Sequence, residues 1–191
     1  MTTTMRDPWV DVKTANGFSA DHIISALQKE IRRSNSENAA ILAYEMVLTS
    51  PALEDYLWYR LMVISVEDIG FGEPQAPVLI NALHEMVGTF DRQTGERKLF
   101  AIHAVRYLCG CQKDRSSDEM AIWISRAVAQ GKILPQIPDY ALDMHTAAGQ
   151  AMGRDRRHFF EEASRVDPEL ADRDETYRDR IMEMLDNGEL S

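Results

Sequence analysis

Ser50-Pro51-Ala52-Leu53-Glu54-Asp55-Tyr56-Leu57-Trp58-Tyr59-Arg60-Leu61-Met62-Val63-Ile64-Ser65-Val66-Glu67-Asp68-Ile69-Gly70 is the stretch that decides the fold. Ser50 and Pro51 read as the N-cap and first residue of a helix, because a serine oxygen can accept an orphan amide and proline fixes a helical φ. From Ala52 to about Val66, Leu53, Leu57, Trp58, Leu61, Met62, Val63 and Ile64 cover almost the whole circumference. A surface helix has one apolar stripe, so this one is expected at the centre of the molecule. Upstream, Ile23, Ile24, Leu27 and Ile31 form a helical stripe that stops at Ser34-Asn35-Ser36, and Ser36 can open a second helix through Thr49. Downstream, Leu79, Ala82, Leu83, Met86 and Phe90 make one stripe, and Leu99, Ile102, Val105 and Leu108 another. Ser116 with Glu119 has the spacing of a capping box before Met120, Trp123, Ile124, Ala127 and Val128. A further helix is expected from about Asp139 to Met152, closed by Gly153. No segment alternates in the manner of a strand, so the fold class is all-α, a multi-helix bundle of antiparallel helix pairs.

Composition sets the outer limits. The chain has 191 residues, 45% hydrophobic and 27% charged, enough to bury a core in one domain. Residues 1–18 lack periodicity and read as an N-terminal arm, 19–166 as the helical domain, and 167–191 as an acidic helix and tail. From Glu161 to Ser191 eleven acidic residues face four basic ones, so most of the net charge of −10 lies there. Tyr177, Ile181, Met184 and Leu185 still form a stripe in that segment, with Gly188 as its C′ residue. A net negative chain is poorly suited to coating a polyanion, so direct nucleic-acid binding is not expected despite the local clusters Lys29, Arg32, Arg33 and Arg154, Arg156, Arg157. The N-terminus has no signal-like apolar region and no run is long enough for a membrane span, which points to the cytoplasm. Cys109 and Cys111 have no second pair at ligand spacing and read as reduced thiols.

Glu67 and Asp68 are the most unusual local feature. Carboxylates at a helix C-terminus face the negative end of the dipole, at ~0.3–1 kcal/mol each, so something must offset them. One reading has them accept loop amides around Gly70 and Gly72 or pair with Arg60; another makes them metal ligands or an acid–base pair, working with neighbouring histidines. Adjacent carboxylates rarely converge across a cleft, which favours the first. No His-Glu-x-x-His or serine-elbow pattern is present, and Gly149 to Gly153 lacks the length and the Lys-Ser/Thr of a phosphate-binding loop. No cofactor, metal or ATPase activity is expected. Gly149 and Gly153 read instead as a close contact or a helix end.

His22-Ile-Ile-Ser-Ala-Leu-Gln-Lys-Glu-Ile-Arg32 with Ala39-Ala40, and above all Arg60-Leu-Met-Val-Ile-Ser-Val-Glu67-Asp68-Ile69-Gly70 with Pro74-Gln75-Ala76, resemble the C-terminal region of the replication-associated recombination protein A group of AAA+ proteins. That group includes the Werner-helicase-interacting ATPases and is related to clamp loaders. Tyr107-Leu108 before Lys113, and Asp143-x-His145 with Gly153 eight residues on, are similar too, so the resemblance spans about residues 20–153. It marks Arg60, Glu67, Asp68 and Gly70 as a structural signature. It implies a clamp-loader-like collar that assembles subunits: a homo-oligomer, tetramer or dimer, with a AAA+ ATPase or replication protein as a further partner. Candidate interaction residues are Arg32, Arg33, Lys113, Asp143, His145, Arg154, Arg156 and Arg157. There are departures: Val63 stands where the family carries a second Arg, Val66 where it has Ser, and Lys113-Asp114-Arg115-Ser116 replaces Lys-Ser-Asn. The family's aromatic-Pro-His tail has no counterpart in residues 154–191. The Met1 start and acidic tail, with no nucleotide-binding module ahead, suggest a stand-alone relative of that collar.

Overall fold

A computed structural model describes residues 7–190. Among them the regular elements are all helical, and the extended backbone amounts to one antiparallel bridge between Lys13 and Ser19. Contacts divide the chain into two compact units, with the break between Lys132 and Ile133. This division follows packing, whereas the compositional boundary at 166 follows charge.

In the first unit, α1 (Ala20–Arg32), α2 (Ser36–Thr49), α3 (Pro51–Ile64), α4 (Ala76–Val87) and α5 (Gly95–Gly110) enclose one core, and α6 (Ser116–Ala129) follows. The anticipated stripe of α1 is buried in full, and the Ser50 hydroxyl caps α3 by accepting the Leu53 amide at 3.2 Å. Leu53, Leu57, Trp58, Leu61 and Ile64 are buried, but Tyr59 is exposed and Met62 and Val63 are only half covered. The central helix therefore has one open side. In α4 the buried set is Ala76, Ile80, Leu83 and Val87; Leu79 packs half-buried against this core, and Met86 is turned away from the position its spacing suggested. Leu99 of α5 likewise points outward; its place is taken by Arg97 and Ala101.

Arg97 is buried because Glu54 is: its Nε donates to the Glu54 carboxylate at 2.6 Å, and its Nη1 donates to the carbonyls of Val87 and Phe90, both at 2.9 Å. A charge can be buried only when paired and hydrogen-bonded, and this pair satisfies both needs while tying the α4–α5 loop to α3. Residues 7–18 are wound onto the core: Trp9 lies 5.1 Å from the Tyr56 ring, and Glu45 of α2 accepts the Asn16 amide at 2.9 Å.

In the second unit, the helix expected over 139–152 is broken. A 3-10 turn covers Asp139–Ala141, and α7 runs only over Ala147–Ala151. Side chains compete with the helix here: Asp143 accepts the His145 amide at 3.0 Å, and the Thr146 hydroxyl caps α7 through the Gly149 amide at 3.0 Å. A Cβ on Gly149 would lie 1.9 Å from the Asp143 carbonyl oxygen, so this fold-back requires glycine. Gly153, with φ +72°, ends the turn. α8 (Arg156–His158) continues into a π turn over Phe159–Ala163, and α9 (Thr176–Asp186) closes at Asn187 before Gly188 with φ +69°. None of the apolar side chains of α9 is fully buried: Tyr177 and Met184 are exposed, and Ile181, Met182 and Leu185 are intermediate.

Candidate functional site: a carboxylate joint between three helices

The last turn of α3 does not end as an α-helix. Over Ser65–Ile69 it widens to a π turn, and Gly70 leaves it with φ +50°. Such widening is frequent where a helix must re-aim its side chains. Here it turns Glu67 and Asp68 toward α1 and the start of α6.

Asp68 is fully buried. One carboxylate oxygen accepts from Arg32 Nε at 2.5 Å and from Arg115 Nη1 at 2.6 Å; the other accepts from Gln28 Nε2 at 2.8 Å. Glu67 faces the same guanidinium groups, at 3.1 Å from Arg115, 3.4 Å from Arg32 and 3.9 Å from Arg60. Arg60 also donates to the Gln28 amide oxygen. Two carboxylates thus meet three arginines, which neutralise the dipole penalty that the sequence poses. Hydrogen bonds to Asp68 and Glu67 hold the Arg115 guanidinium more firmly protonated than usual, against a smaller effect of burial.

Of the loop amides expected as partners, that of Gly70 donates to the Ser65 carbonyl instead. The Asp114 amide donates to the carbonyls of Asp68 and Ile69, both at 3.1 Å, so segment 112–114 lies directly on the 68–72 turn. A Cβ at Gly70 would stand 2.4 Å from the Asp114 oxygen and one at Gly72 2.6 Å from the Gln112 oxygen. Both glycines are required by this close approach. Asp114 in turn accepts the Ser116 amide at 2.9 Å and the Ser116 hydroxyl at 3.0 Å. That arrangement displaces the expected Ser116–Glu119 box, since Ser116 becomes the first helical residue of α6.

The candidate interaction residues are held by internal partners. Lys113 closes α5 by donating to the carbonyls of Leu108 (3.0 Å), Cys109 (3.2 Å) and Cys111 (2.5 Å). Arg33 donates to the Lys29 carbonyl at 3.1 Å. In the second unit Asp143 pairs with His145 Nδ1 at 2.9 Å, and the His145 bonds draw its carboxyl below the usual aspartate range. Arg154 reaches the Asp139 carboxylate at 2.5 Å and the Leu142 carbonyl at 2.8 Å; Arg157 reaches Asp186 at 2.5 Å. Arg156 lies in α8 between them. The two thiols are free, and burial pushes Cys109 and Cys111 above the ordinary thiol range.

Sequence reasoning left out Gln28 and the pairing role of Arg115, which sit 40 and 47 positions from Asp68. The signal was present only as polar residues on otherwise apolar or capping positions. Among the described residues no three His, Cys, Asp or Glu side chains come together as a metal site would require, and no helix is long and apolar enough to cross a membrane. What the arrangement can do is hold α1, α3 and α6 in one register; the Asp68 oxygens are already taken by two arginines and the Gln28 amide.

Residues 34–172 match the family described as MgsA AAA+ ATPase C terminal. A 138-residue stretch is 35% identical to replication-associated recombination protein A of Bacillus subtilis (strain 168). The match covers 69% of this chain and 30% of that protein.

Proposed function

The chain belongs to the MgsA AAA+ ATPase C-terminal family, and on that premise we propose that it is a non-catalytic oligomerisation and interaction module associated with DNA replication, recombination or repair. The observation that carries this reading is the burial of Asp68. The family-like Glu67-Asp68-Ile69-Gly70 segment spends its charge on joining helices, with the Asp68 carboxylate fully buried under Arg32, Arg115 and Gln28. A carboxylate so engaged is neither a free base nor an open metal ligand. The alternative of an enzyme using Glu67, Asp68 and a nearby histidine would need those acceptors vacated.

Apolar exposure supports the interaction role. Ile122 (56%) and Trp123 (59%), adjacent on α6, lie open as an apolar pair that a partner surface could cover. The module forms a homo-oligomer, a tetramer or a dimer, and a AAA+ ATPase or replication protein is the further partner. Light scattering on the 191-residue chain at tens of micromolar tests this. A mass at a multiple of 21.7 kDa is expected; a monomeric mass independent of salt would overturn it.

A further inference from the structure

α6 differs from α1 to α5 in that Ala127 is its one buried residue, although it carries Met120, Ile122, Trp123, Ile124 and Val128. At about 100° per residue, its apolar groups spread over most of the circumference. Ser117, Ala121, Ile124 and Val128 fall within about 60° of one another. Ser117 and Ala121 of this set line a groove of about 520 Å³ against Met62, Val63 and Val66 at the open side of α3. Glu119, Ile122, Trp123 and Arg126 centre about 180° from that set, with the buried Ala127 between the two. All four of these are exposed.

We propose that this outer face of α6 is the surface on which a second copy of the chain docks, as an antiparallel α6–α6 pair about a two-fold axis midway between Ile122 and Trp123. The inference deepens the oligomerisation reading and rests on it. The charge layout selects the occupant. Glu119 and Arg126 lie equally far on either side of the Ile122–Trp123 midpoint. In an antiparallel pair centred there, Glu119 stands opposite Arg126 of the partner subunit, and the same contact recurs across the axis. A two-fold interface demands this self-complementarity: each residue must fit its symmetry mate's environment. A parallel pairing would instead set Glu119 against the partner's Glu119. The apolar pair at the centre, a tryptophan among it, has charged groups outside, which is the layout of an interface whose energy is concentrated in a desolvated middle.

Charge reversal tests it on the full chain by sedimentation equilibrium and light scattering, with helicity and melting checked by circular dichroism. Glu119→Arg and Arg126→Glu each place like charges opposite one another and should weaken self-association by about tenfold or more, while the double variant restores it to within about threefold of wild type. Trp123→Glu should weaken it further without loss of helicity, because the side chain is exposed in the single chain. An associating wild type whose four variants associate equally well would overturn the α6 pair and leave the oligomerisation reading standing. Weakening by both single reversals with no recovery in the double variant would overturn the antiparallel geometry. A monomeric wild type would overturn the oligomerisation reading itself.

Discussion

Asp68 accepts hydrogen bonds from three side chains on two other segments, and none of them is its neighbour in sequence. Asp68→Ala removes the only anion fully buried in the joint and strands Arg32 and Arg115 facing each other. The expected loss is about 2–4 kcal/mol in a denaturant midpoint measurement. Asp68→Asn keeps the volume and the Arg contacts but not the charge, and should cost less. An unchanged midpoint for Asp68→Ala would mean that the joint does not hold the helices. Gly70 makes a second residue-scale case. Its φ of +50° and the 2.4 Å approach of its would-be Cβ to the Asp114 oxygen both act against any side chain. Gly70→Ala should therefore destabilise more than Gly110→Ala, where a Cβ meets nothing within 4 Å.

At the scale of elements, polar anchors decide which faces the helices present. Glu45 lies on α2 with its carboxylate bonded to the Asn16 amide and to Asn16 Nδ2 at 2.5 Å, stapling residues 14–19 to that helix. Burial raises the Glu45 carboxyl, but hydrogen bonds from Thr14 and Asn16 outweigh it, and the net result lies below the usual 4.5. A depressed carboxyl contributes stability that is complete above its unfolded value and lost as pH falls through its folded value. Glu45→Gln should then cost about 1 kcal/mol at neutral pH. The difference from wild type should shrink steadily below pH 4.5, as melting curves across pH 3 to 7 would record. Glu54 and Arg97 act likewise between α3 and α5. Arg97 is buried whereas Arg92, which shares the Glu54 carboxylate at 3.1 Å and pairs with the exposed Asp55, is itself open to solvent, so Arg97→Ala should be more damaging than Arg92→Ala.

On the whole-molecule scale, the buried apolar side chains among the described residues all precede Lys132. A chain ending there retains the entire core and should unfold in one cooperative transition with the helicity of α1 to α6. A broad, non-cooperative melt would show that residues beyond 132 complete the core. The 191-residue chain should also fail to bind ATP, since Gly149-Gln150-Ala151-Met152-Gly153 spends its glycines on a fold-back and a turn, not on a phosphate cradle. Micromolar binding in a calorimetric titration would contradict this.

The all-α class, the start of α3 at Ser50-Pro51, the buried stripe of α1 and the turn at Gly188 were legible in the sequence. Each depends on interactions within a few residues of chain: a cap, a helical repeat, a positive φ. The anchors of the joint were not. Arg115 and Gln28 find Asp68 across more than thirty-five positions, and no local pattern encodes that meeting. Tertiary contact also turned Leu99 and Met86 outward and settled Arg97 inside, because a buried charge goes where its partner Glu54 already lies. The break over 139–152 is local instead: the spacing favoured a single helix, but Asp143 and Thr146 took amides two and three residues on that the helix needed. Periodicity shows that a helix has apolar residues. Only packing decides which of them another surface covers, and α6 keeps most of its own exposed.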